Sequence, residues 1–261
     1  MDKVLQRLNK DLNILSKWFS SNGMVANSAK FQILFPGSDS TKFEVNLDQT
    51  TLKGSNEVKL LGITIDSQLT FYPHIQNVCK MASAKIKAFY RIRSYLTQNQ
   101  ADILFDAYIM SYFNYCPLVW MFCSKQAHNL INKTHRRAMC AKLNIFSCDY
   151  NELLKLAKSE TIHSKNLKLL IIEIFKSLNC LNPQILWDTF PLRATHYNSR
   201  QGSCIIIPPA NTTRSVNFFD FRSALAWNHL PHFIKSETDL HKFVTSLENV
   251  DIYCQCRECS K

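Results

Sequence analysis

The sequence predicts an α+β protein, with a small antiparallel sheet on the N-terminal side, then a mostly α-helical bundle, then an irregular C-terminal region. Three observations predict it. Short β-branched and alternating apolar runs with turn signals cluster in residues 31–66, helical apolar stripes recur from residue 74 to 180, and beyond Asn182 come five of the eight prolines and one apolar run, CIIIP. The expected parts are therefore 1–71, 72–182 and 183–261.

Each element has a local reason. Val4, Leu8, Leu12, Leu15 and Phe19 form a stripe along residues 3–22, and Asn22-Gly23 ends that helix because glycine accepts the left-handed conformation. FQILF (31–35), a Pro36-Gly37 turn, the alternation of Phe43, Val45 and Leu47, and LLGITID (60–66) read as short strands. Pro73 suits a helix start, and 74–96, 99–115, 126–143, 149–157 and 162–180 carry stripes of helical period. Beyond them the spacing predicts one more helix over 217–228.

Composition narrows the function. The chain has 261 residues and a formal net charge of +11, so polyanions are the first partners to expect. Five glycines cannot build the usual phosphate loops, and no GxxxxGK, GxGxxG, GxSxG or HExxH occurs. The ten cysteines show no framework spacing and the N-terminus lacks a secretory pattern, which points to a reducing intracellular compartment, cytoplasm or nucleus. Residues 107–124 carry no charge, but Ser111, Asn114 and Pro117 interrupt them, so a buried helix ending before Pro117 is expected and no membrane span.

The charge is concentrated. Residues 1–71, 72–145 and 146–261 hold net charges of +1, +8 and +2. On the 74–96 helix, Ile75, Val78, Cys79, Ala82, Ile86 and Phe89 share one side while Lys80, Lys87 and Arg91 stack opposite, over roughly 16 Å. Lys85, Arg93 and Tyr90 lie beside that stripe. No glutamate interleaves with these cations, unlike an ordinary solvated face, so they are candidates for contact with a nucleic-acid backbone. Arg136 and Arg137, next to His135, form a second basic cluster. Near the C-terminus, Cys254, Cys256 and Cys259 form C-x-C-x-x-C, three thiols that could hold Zn2+ with His241 or another cysteine as the fourth ligand, or a tail with incidental thiols. The other cysteines read as buried apolar residues, the remaining histidines show no ligand constellation, and Trp120, Trp187 and Trp227 read as core.

In order along the chain, LSKWFSSNGM, VANSAKFQILF, VKLLGITID, FYPHIQNVCKMASAKIKAFYRIRSYL and SYFNYCPLVWMF resemble the back half of a reverse transcriptase of the non-long-terminal-repeat (LINE, jockey-like) retrotransposon type. The similarity continues through TIHSKNLKLLIIEIFKSLN, YNSRQGS, AWNHLP and CQCREC. The resemblance implies an end of palm with an incomplete sheet in 1–71, a helical thumb that grips primer–template duplex in 72–182, and a Cys-bearing region in 183–261 that helps hold template RNA. It also implies that Lys30, within NSAKFQILF, lies near the incoming nucleotide's phosphates, and that Asp66 is a turn or cap residue.

The parent RNA-directed DNA polymerases need Mg2+ held by paired palm carboxylates. These 261 residues contain no adjacent Asp pair. The expectation is a polymerase fragment that retains the thumb, binds no catalytic metal by itself, cannot extend a primer, and partners an RNA or RNA–DNA backbone and a missing upstream polymerase half. The alternative is a stand-alone basic helical nucleic-acid-binding protein without enzymatic activity.

Overall fold

The computed structural model describes residues 2–47, 50–145, 148–193, 204–211, 215–248, 250–254 and 256. It divides into two compact units, Met1–Ile75 and Gln76–Lys261.

In the first unit, helix α1 (Asp2–Ser21) covers a hairpin of β1 (Glu44–Leu47) and β2 (Thr50–Lys53). The strand alternation buries Val45, Leu47 and Leu52, and Asn9 Oδ1 of the helix accepts the Asn46 backbone N–H at 2.9 Å. A second antiparallel hairpin pairs β3 (Glu57–Leu60) with β4 (Ile63–Asp66) through a Leu61-Gly62 turn. The expected small sheet is thus two separate two-stranded hairpins. FQILF (31–35) is not a strand. Its backbone is tied instead to single partners: Phe35 N–H donates to Ser40 Oγ (2.9 Å) and Ile33 C=O accepts from Ser55 N–H (2.8 Å). Gln32 also serves as an edge cover, its side-chain amide accepting from Lys59 N–H (2.8 Å) and donating to Lys59 C=O (3.2 Å), so those backbone groups of β3 are not offered to another chain.

Helix α2 starts at Tyr72, in the last residues of the first unit, and runs to Ile92. In the second unit follow α3 (Gln98–Phe105), a π-helical turn (Asp106–Met110), α4 (Ser111–Asn114), α5 (Pro117–Trp120), α6 (Lys125–Leu143), α7 (Tyr150–Leu156) and α8 (Ile162–Leu178). Their starts are set by side chains. Thr97 and Gln100 form a reciprocal capping box, and Ser124, Asp149 and Thr161 each accept a backbone N–H from the first turn they precede. Cys116, held in the left-handed region at φ 45°, breaks the uncharged run just before Pro117, as its sequence predicts, and no helix among the described residues is long and apolar enough to cross a membrane.

Residues beyond 182, read from sequence as an irregular third part, share a core with α8. The expected helix is α9 (Phe219–Asn228), and α10 (His232–Lys235) and α11 (Leu240–Leu247) add two that the sequence reading missed. Phe175 of α8 stacks on Phe243 of α11 at 4.0 Å between centroids, and Trp227 stacks on Phe243 at 6.1 Å. Leu170, Ile171, Ile174, Ala224, Ile234, Leu247, Cys254 and Cys256 complete this buried cluster. Trp120 and Trp227 are core residues, but Trp187 is 37% exposed and donates its indole N–H to Asn182 C=O (2.8 Å). Cys116 and Cys180 are likewise exposed rather than buried, both on backbone turns with positive φ.

Candidate functional site

Two arrangements in the second unit have chemical potential. The first is a cleft of about 530 Å³ between α2 and α6, lined by Lys87, Tyr90, Arg91, Lys133, Arg136 and Arg137 over an apolar floor that includes Ile86, Cys140 and Ala141. Helical geometry builds it. Lys87, Tyr90 and Arg91 on α2 are spaced i, i+3, i+4, as are Lys133, Arg136 and Arg137 on α6, so each triplet occupies one face of its helix. The buried faces turned away from the cleft, Ile75, Cys79, Ala82 and Phe89 on α2 and Ile131, Thr134, His135 and Ala138 on α6, fix which way the cations point.

Among the described residues, no carboxylate neutralises the cleft. Residues 72–145 contain only Asp102 and Asp106. Asp102 is used elsewhere, bridged to Lys142 at 3.1 Å, and none of the five cleft cations makes an ion pair among the described residues. Five like charges around one concavity raise a positive potential that focuses outward toward an anion.

The structure separates the remaining sequence candidates. Lys80 is exposed but does not line the cleft. Lys85 places its ammonium over the Tyr108 ring, 5.2 Å from the centroid. The Arg93 guanidinium donates to Lys142 C=O (2.8 Å), Leu96 C=O (3.4 Å) and Gln98 Oε1 (2.7 Å), tying the end of α2 to the end of α6. Lys30, in the first unit, ends a single 3-10 turn (Ser28–Lys30) and borders a shallow hollow with Lys59, Val58 and Leu60. Asp66 caps the turn after β4: its carboxylate accepts from the backbone N–H groups of Gln68 (3.1 Å), Thr70 (3.1 Å) and Phe71 (2.7 Å) and from the Thr70 hydroxyl (3.2 Å). Lys133 was missed in the sequence, although its i, i+3, i+4 spacing to Arg136 and Arg137 was a signal.

The second arrangement could hold a metal ion. His163, at the start of α8, meets Cys254 and Cys256, with Nε2 lying 3.8 Å from Cys254 Sγ and 3.1 Å from Cys256 Sγ. All three residues are buried. His128 of α6 places its ring edge-on to His163, at 5.2 Å between centroids, and Arg222 of α9 donates from Nη1 to Cys254 C=O (3.3 Å). The sequence predicts either a site of Cys254, Cys256 and Cys259 with His241 or another cysteine, or a tail with incidental thiols. Two of those thiols converge, Cys259 lies outside the described residues, and the imidazole that joins the group is His163.

No family model matches the chain, and neither a curated protein nor a solved structure matches it.

Proposed function

We propose that the chain binds nucleic-acid backbone in the α2–α6 cleft, as the thumb region of a non-long-terminal-repeat retrotransposon reverse transcriptase would grip its primer–template. The observation that carries this reading is the convergence of Lys87, Arg91, Lys133, Arg136 and Arg137 on one cleft without a carboxylate among its lining residues. Two features add support. The order of sequence segments resembles that family, and the net charge of +8 over residues 72–145 falls on the part that the resemblance makes the thumb.

The chemistry favours phosphate over bases. Lysine ammonium and arginine guanidinium groups on two helix faces can follow a ribose-phosphate chain, whereas the cleft's apolar floor has few groups to read base edges. The polypeptide acts on this reading as a binding element and not as a polymerase, because nucleotidyl transfer needs paired carboxylates for two metal ions and no adjacent Asp pair exists in the sequence.

The test is binding of the purified chain to a fluorescent RNA–DNA hybrid across a salt series. Each phosphate contact contributes a slope of about −0.9 in log K against log salt for duplex DNA, with a related slope expected for a hybrid. Reversing Lys87, Arg91 and Arg136 to glutamate should flatten the slope by about 3 and weaken binding at least tenfold at 100 mM salt. Lys80→Glu, which lies outside the cleft, should change it far less. A folded triple variant that binds like the wild type would rule out the cleft.

A further inference from the structure

The geometry points to a structural Zn2+ held by His163 Nε2, Cys254 Sγ and Cys256 Sγ, which clamps the C-terminal segment onto the first turn of α8. This inference is independent of the nucleic-acid reading.

Distance is the first support. With Zn–S near 2.3 Å and Zn–N near 2.0–2.1 Å at tetrahedral angles, a coordinated sulfur and nitrogen lie about 3.5 Å apart. The observed separations of 3.1 and 3.8 Å straddle that value, and the three donor atoms lie within 4.8 Å of one another. Small shifts of the thiols therefore suffice to close the site.

Donor type and burial are the second. Two thiolates and an imidazole form a set that suits zinc, and two thiolates balance its charge so that a buried centre carries no net charge from these ligands. Cys254 is 0% exposed, Cys256 5% and His163 8%, a degree of burial that suits a structural centre rather than an open catalytic one. The fourth coordination position is to be filled by a donor beyond these three.

The surroundings say what the ion would do. Residues 250–254 form neither helix nor strand, yet their end reaches a fully buried position. Arg222 fixes the Cys254 carbonyl, and Thr161 caps α8 by accepting from Ser164 N–H, so both sides of the centre are positioned before metal arrives. Cys254 lies 91 residues from His163 in sequence. A metal bond between them closes a long loop and removes freedom from the unfolded chain, as any cross-link of distant residues does.

The experiment uses the full chain, purified reduced and without chelator, then supplied with Zn2+ or Co2+. Native mass spectrometry should give about one zinc per chain. Cobalt should produce the visible bands of a tetrahedral ion together with thiolate-to-metal charge transfer, a readout that needs no variant. His163→Ala and the Cys254→Ser/Cys256→Ser double variant should each lower metal affinity by at least about a hundredfold. Chelation of the wild type should lower Tm and make Cys254 and Cys256 reactive to alkylation. Absence of stoichiometric metal in the folded wild type, a cobalt spectrum without thiolate charge transfer, or full metal retention by the double cysteine variant would each overturn the assignment.

Discussion

His135 of α6 is fully buried, and this couples its protonation to the fold. Burial, then the positive charge of Lys165, push its pKa down to about 3 from an ordinary value of 6.5. Its Nδ1 lies 2.7 Å from the Tyr150 hydroxyl of α7, and Nε2 has no hydrogen-bond partner among the described residues. The unfolded chain takes up a proton here below pH 6.5, while the folded chain does not until about pH 3. The stability that neutral His135 contributes is therefore complete above pH 6.5 and lost progressively as pH falls toward 3. The slope reaches at most about 1.4 kcal/mol per pH unit. Urea unfolding at pH 7 and pH 5 should show this loss, and His135→Gln should shrink it by up to one proton; an unchanged pH dependence would refute the role. Tyr150→Phe should cost about 1–3 kcal/mol at pH 7, since it removes the partner of a buried nitrogen. At this scale the sequence was least legible. His163 looked like any helix residue because its thiol partners lie more than ninety positions away, and no local pattern encodes such a meeting.

At the scale of elements, most helices were readable, α10 and α11 excepted, and the strands were only partly so, for a physical reason. A helix satisfies its own backbone, so the 3.6-residue stripe and the cap that starts it are both written locally, as in Ser124 before α6 and Thr161 before α8. A strand is defined by a partner. FQILF has strand composition, but its backbone found Ser40 and Ser55 instead of a ladder. The β3–β4 turn shows the same separation of propensity from outcome. Leu61 and Gly62 have φ of 47° and 87°, the positive values of a type I′ hairpin turn. Glycine accepts this freely, while leucine pays for the contact of its Cβ with the following carbonyl. Leu61 is 83% exposed, so little packing offsets the strain. Leu61→Asn creates the Asn-Gly pair that such turns prefer and should stabilise the first unit by about 0.5–1 kcal/mol. Equilibrium denaturation followed by hydrogen exchange in residues 57–66 would read it; unchanged or lower protection would show that the leucine has packing value that its exposure hides. The cleft lies between these cases. Its two triplets were each legible as helical spacing, but only the packing of α2 beside α6 makes them one surface.

For the whole molecule, the division of charge and of buried surface predicts different behaviour from its two units. The second unit encloses the α8 cluster around Phe175, Trp227 and Phe243, and it also buries Phe89, Phe105, Phe113 and Met139. It also contains the basic cleft. The first unit has a small core of Phe35, Val45, Leu47, Leu52 and Ile63, and much of its apolar surface faces outward. On α1, Val4, Ile14, Leu15 and Trp18 are exposed, and Val25 beyond it is 96% exposed. Exposed apolar side chains gathered on one small unit favour association with other surfaces or with further copies. Such a surface is an aggregation hazard. A chain starting near Thr70 retains α2 and every helix after it, so it should stay monomeric at concentrations where the 261-residue chain associates, and it should keep its affinity for the RNA–DNA hybrid. Sedimentation velocity and light scattering over a concentration series measure the first expectation, and the salt series measures the second. Equal or greater association of the shorter chain would overturn the first expectation, and loss of its binding would place part of the nucleic-acid contact before Thr70.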